Sequence, residues 1–222
     1  MEEVAARGER YLAALRDSLR DQPDLFGLRD AFVGAGGRLV DVLAELSVAG
    51  PDVFALPTDE PEGSRAAWFV LEFVRAVAAD GGLVVDAVVR KAATRCAERI
   101  LDDPGMRDAV DNATADARLS GDLLCAIFEL FFARAVSELV RAIIAEKINL
   151  MVLGLVPGLR VVDPDGQIAD WVAGKVMELV PNPCERAHEL AERGLNVVEV
   201  ARELIPESVD RALGVWAGEE PS

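Results

Sequence analysis

The chain has 222 residues, of which 51% are hydrophobic and only 5% aromatic. That excludes intrinsic disorder over most of its length and points to a full core built from Leu, Val, Ile and Ala. A formal charge of −16, from 39 acidic and 23 basic residues, argues against nucleic acid as a main partner, since phosphate binding rests on clustered Lys and Arg, and against an anionic membrane surface.

Helical periodicity dominates from the start. Over 2–19, Val4, Tyr11, Leu12, Leu15 and Leu19 share one stripe opposite charged residues, the pattern of a surface helix in a bundle. Pro23 ends it. The pattern over 25–48 has Leu25, Leu28 and Phe32 on one apolar face and Leu39, Leu43 and Leu46 on another, with Gly34, Gly36 and Gly37 between. Each glycine costs about 1 kcal/mol inside a helix, so this stretch is expected to mark a break, a kink or a close helix contact. Residues 50–63, with three prolines and four acidic residues, read as a loop.

Ser64 caps an apolar helix through Trp68, Phe69, Leu71, Phe73, Val74 and Val77, closed by Gly81 and Gly82. Residues 83–102 form another, with Val85, Val88, Val89, Ala92, Cys96 and Ile100 inward. After a turn at Asp103, Pro104 and Gly105, a polar helix is expected to reach Arg118. The central element spans 122–153 and is apolar on almost every side, apart from an edge carrying Arg134, Glu138 and Arg141 that can pair at i,i+3 and i,i+4. A helix with so narrow a polar edge is expected to be surrounded by others. Gly154, Pro157 and Gly158 close it. A turn over 160–166, a helix over 167–180 and short helices over 184–193, 196–205 and 207–216 complete the chain. The expected fold is all-α: a bundle of about eight to ten helices around a long buried helix near 122–153, with 1–180 as its core and 181–222 as an acidic appendage packed on or beside it.

The basic residues comprise 20 Arg and 3 Lys, a balance that reads as coding from a GC-rich bacterial genome. The N-terminus lacks the apolar stretch of a signal peptide, so the expected compartment is the cytoplasm. Three cysteines, Cys96, Cys125 and Cys184, stand 29 and 59 positions apart. An odd count without a close pair is no disulfide framework, and Cys96 and Cys125 read as small core residues.

Several features invite a functional reading, each beside a simpler one. Trp68, Phe69, Phe128, Phe131, Phe132, Ile148, Met151 and Leu155 are candidates for an apolar partner surface or pocket; the simpler reading is core. The charge-free run over 148–159 is shorter than the ~20 residues a membrane span needs, and the charges at 134, 138 and 141 would be costly there. Cys184 and His188, four apart after Pro183, have the spacing of a thiol and its base, although Glu185, Glu189 and Glu192 oppose a thiolate. Asp163 and Asp165 resemble a calcium loop, but its glycine, Gly166, comes at the fourth loop position rather than the sixth, and the closing glutamate is replaced by Gly174. Asp102, Asp103, Asp108 and Asp111 approach a diphosphate-binding carboxylate pattern but have Met106 where an aspartate is needed. Glu72, Glu129 and Glu178 lie in apolar stretches, where a carboxyl group can titrate high. Residues 189–205 faintly resemble a helix-turn-helix but lack phosphate-binding cations. No cofactor and no metal are expected. The reading is a non-enzymatic helical interaction or regulatory module of a bacterial cytosol, with a protein partner or a second copy of itself. The alternatives are an apolar small-molecule or lipid binder and a triggered membrane-active effector.

Overall fold

Proline and glycine punctuation divides the chain into helices and little else. The computed structural model describes residues 2–21, 27–57, 64–78, 84–112, 116–145, 166–189 and 195–214. Among these lie nine α-helices and no strand: α1 (Glu2–Asp21), α2 (Leu28–Ala49), α3 (Ser64–Val77), α4 (Val84–Leu101), α5 (Pro104–Asp111), α6 (Gly121–Ala145), α7 (Gln167–Leu179), α8 (Pro183–Glu189) and α9 (Val197–Leu213). A 3-10 turn, Gly50–Val53, follows α2. The fold is an all-α multi-helix bundle.

Helix α6 is its axis. From Phe131 to Val140 every residue except Arg134 is buried, because α2, α4, α7 and α9 all pack on it. The expected central helix is described as far as Ala145; Ile148, Met151, Leu155, Asp163 and Asp165 lie outside the described residues.

The glycines of α2 do not break it. A Cβ on Gly36 would stand 3.0 Å from Phe132 Cζ and 3.1 Å from Ile205 Cγ2. Gly36 is therefore where α2 crosses both α6 and α9 at close range, and burial of Phe32, Leu39, Leu43 and Leu46 offsets the glycine penalties. Gly37, one step round the helix, meets nothing within 4 Å. Gly37→Ala is expected to stabilise the protein by about 0.5–1 kcal/mol by removing backbone freedom from the unfolded chain, readable as a rise in the urea midpoint.

Arginines close the ends of three helices. A helix leaves its last carbonyls without partners and its C-terminus partially negative. Arg38 Nε donates to Val77 O at 2.8 Å at the end of α3, Arg107 Nε to Leu101 O at 2.9 Å at the end of α4, and Arg65 Nε to Val110 O at 2.6 Å near the end of α5. The arginine excess thus has structural use, whatever its source in base composition.

Two expectations are corrected. The polar helix after Pro104 stops at Asp111 rather than reaching Arg118; residues 116–120 run without regular structure, and Leu119 N–H donates to Leu46 O at 3.1 Å. The two short helices expected on either side of Pro206 are one helix, α9, with Pro206 inside it. An interior proline costs about 3 kcal/mol, but Leu204, Ile205, Val209, Ala212 and Leu213 form a continuous buried face that outweighs it. A capping box starts α9: Asn196 Oδ1 accepts from Glu199 N–H at 3.0 Å, and Glu199 Oε2 accepts from Asn196 N–H at 2.9 Å. The same buried face joins the common core, and Arg29 on α2 pairs with Asp210 at 2.8 Å.

Candidate functional site

The candidate aromatic residues separate by helix face. On α3, the i,i+4 series Arg65, Phe69, Phe73 and Val77 turns inward and is buried. Phe69 meets Phe54 edge-on at 5.4 Å and stacks on Phe73 at 6.2 Å. On α6, Phe132 meets Phe128 at 5.1 Å and Phe131 at 5.3 Å, both edge-to-face. Phe69, Phe128, Phe131 and Phe132 have no accessible surface, so they fill the core and border no water-sized void. Trp68 and Leu71, three positions apart on the outward face of α3, are 38% and 51% exposed. The nearest charges on that helix, Glu72 and Arg75, are spent on each other at 3.3 Å.

The cysteine reading is overturned. Cys125 and Cys184 are joined in a disulfide, with Cα atoms 5.9 Å apart. Cys125 lies on the buried flank of α6 one turn in. Asn182 Oδ1 caps α8 by accepting from Cys184 N–H at 2.8 Å and Glu185 N–H at 3.2 Å, which sets Cys184 at the start of α8 facing the start of α6. Cys184 Sγ stands 3.4 Å from the Gly121 carbonyl oxygen. Cys184 therefore offers no thiolate to His188, which is exposed on α8. Only Cys96 is free; it is fully buried, and burial pushes its thiol pKa well up, so it is inert as a nucleophile. No local signal announces a pair separated by 59 residues.

Of the three carboxylates singled out in the sequence, Glu72 pairs with Arg75, and Glu178 is exposed and pairs with Lys175 at 2.8 Å. Glu129, half-buried on α6 one turn beyond Cys125, is the perturbed one. Burial raises its pKa, a hydrogen bond with Asn182 opposes that rise, and the charge of Glu185 adds to it. A carboxyl raised in the folded state makes stability fall as pH climbs from its unfolded value through the folded one. Glu129→Gln, which keeps a hydrogen-bonding amide, is expected to leave stability unchanged near pH 4 and raise it at pH 7. Urea unfolding of both proteins at the two pH values checks the sign.

The most buried acid among the described residues was missed in the sequence. Glu138, 4% exposed, pairs with Arg141 at 2.7 Å and with Lys91 of α4 at 3.4 Å. Arg134, expected to pair along α6, instead crosses to Asp170 of α7 at 3.0 Å. The polar edge of α6 is thus an ionic seam with its neighbours.

Asp103 is the N-cap of α5, its Oδ1 accepting from Met106 N–H at 3.0 Å, and among the described residues no three His, Cys, Asp or Glu side chains gather as metal ligands. No described helix is long and apolar enough to cross a membrane. Of the helix-turn-helix segment, 190–194 lie outside the described residues. No protein-family model, curated protein or solved structure matches the chain.

Proposed function

We propose that this chain is a non-enzymatic interaction module of a bacterial cytosol, and that it docks a basic amphipathic helix of a partner protein on the outward face of α3. The observation that carries this reading is the exposure of Trp68 and Leu71 side by side, next to a Glu72–Arg75 pair that neutralises itself. Large apolar side chains adjacent on a surface mark recognition sites, and Trp is among the residues that dominate binding energy when its ring is covered. The formal charge of −16 attracts a basic partner and speeds its encounter. The apolar-ligand alternative is less well supported, because the core phenylalanines border no open void.

The test uses synthetic peptides: a helical 18-residue sequence of leucine and lysine, and its leucine–glutamate counterpart, titrated against the whole protein by calorimetry and tryptophan emission. The lysine peptide is expected to bind, with affinity falling as salt rises, and to bind at least tenfold more weakly to the Trp68→Ser/Leu71→Ser variant. Equal binding of both peptides, or binding unchanged by the double substitution, would overturn the assignment. Sedimentation of the protein alone distinguishes a second copy on the same face, since a dimer abolished by the double substitution makes this chain its own partner.

A further inference from the structure

We propose that the Cys125–Cys184 bond is a reversible thiol–disulfide exchange site, with Cys184 as the sulfur that takes the incoming thiol and Cys125 as the one that leaves. The inference rests on the cytosolic reading above, because in a thiol-rich compartment a disulfide is usually transient and serves redox sensing or catalysis more often than architecture.

Three observations carry it. The two sulfurs are unequal: Cys125 is buried in the core, whereas Cys184 is half-exposed on a helix of seven residues, and exchange proceeds at the sulfur that can be reached. The opened state is already provided for. Asn182 caps α8 and bonds to Glu129 of α6, α8 also packs on α9, and the Gly121 carbonyl, 3.4 Å from Cys184 Sγ, can accept a hydrogen bond from the freed thiol. The third cysteine cannot interfere, since Cys96 is fully buried and offers no competing thiol.

The co-reactant is a small monothiol of the glutathione class. Its thiolate attacks Cys184 Sγ; the new S–S bond forms as the Cys125–Cys184 bond breaks, and the electron pair leaves with Cys125, which takes up the proton the attacking thiol released. A second thiolate attacks the small-molecule sulfur of the mixed disulfide, freeing Cys184, which is protonated in turn. Two small thiols are oxidised to their disulfide and the protein disulfide is reduced to two thiols. The consequence is local: α8 loses its covalent tie to α6 while α9 stays in the core.

The experiment equilibrates the whole protein in glutathione buffers running from fully oxidised to fully reduced, with acid quench, alkylation and peptide mapping. The bond is expected to go from complete to absent across the series, with the glutathione adduct on Cys184 and none on Cys96 throughout. Hydrogen exchange of α8 is expected to quicken at least tenfold on reduction, with α9 unchanged. As a second arm, Cys125→Ser leaves Cys184 alone, Cys184→Ser leaves Cys125 alone, and oxidised glutathione is expected to modify the former at least tenfold faster. A bond intact in the fully reduced buffer, a bond that never forms in the oxidised one, an adduct on Cys125, equal rates in the two variants, or α9 opening together with α8 would each overturn the proposal. The peptide titration at Trp68 and Leu71 involves no cysteine, so its failure is separately readable.

Discussion

Phe132→Ala is expected to cost about 3–5 kcal/mol, the range for removing a buried phenylalanine whose surroundings cannot collapse. Collapse is hindered here because the ring is wedged between Phe128 and Phe131 at 5.1 and 5.3 Å and is roofed by the backbone of α2 at Gly36. All these groups sit on rigid helices. The same contact makes a second, coupled prediction. Gly36→Ala sets a Cβ 3.0 Å from Phe132 Cζ and is expected to cost about 1–3 kcal/mol by overpacking. With Phe132→Leu in the background, the terminal ring atom is gone and the share of that cost set by the ring disappears, while the contact with Ile205 Cγ2 at 3.1 Å remains. A double-mutant cycle by urea unfolding should therefore show an interaction energy of about 1 kcal/mol or more between the two positions. Strict additivity would mean that α2 and α6 do not meet there.

The next largest effect is expected at Arg65, a guanidinium buried among apolar neighbours. Its Nε donates to Val110 O at 2.6 Å and its Nη1 to Pro57 O at 2.9 Å, so one side chain holds the end of α5 and the segment after α2 against α3. Arg65→Met keeps the packing of the stem and removes both donors. With hydrogen bonds from charged groups worth about 1.5–3 kcal/mol each and two carbonyls left unpaired, a loss of about 3 kcal/mol is expected from the denaturation midpoint. Faster proteolysis between Phe54 and Pro57 should accompany it. Arg65→Lys, with one nitrogen where Arg uses two, should recover about half. A loss under 1 kcal/mol would show that water replaces the guanidinium at both carbonyls.

The carboxylate and cysteine results show which parts of a site can be read locally. Glu129 was legible as a carboxyl in an apolar stretch, and its surroundings in the fold do raise its pKa. Glu138 looked like one member of a charged edge, and only the approach of α4 turned it into a buried acid paired with Lys91. Cys184 carried a correct local signal, a helix start after Pro183, but nothing local pointed to its partner: the expectation of no disulfide fails because the fold brings Cys125 on α6 to it. On α3, the sequence placed Trp68 and Phe69 in one apolar helix. Their opposite fates, exposed and fully buried, depended on which face α4 and α2 came to cover.

The sequence by itself determined the helical class, the central place of α6 and most helix starts, because period-3.6 patterning, proline and glycine punctuation and capping residues act within a few positions of the chain. The tertiary structure decided the rest. It carried α2 through its glycines and α9 through Pro206, since penalties of about 1 and 3 kcal/mol are smaller than the burial of a continuous apolar face. It also joined two sulfurs 59 residues apart, sent Arg38, Arg65 and Arg107 to close foreign or neighbouring helix ends, and left Trp68 and Leu71 uncovered. Each of these depends on which helices meet, a long-range outcome that no local pattern encodes.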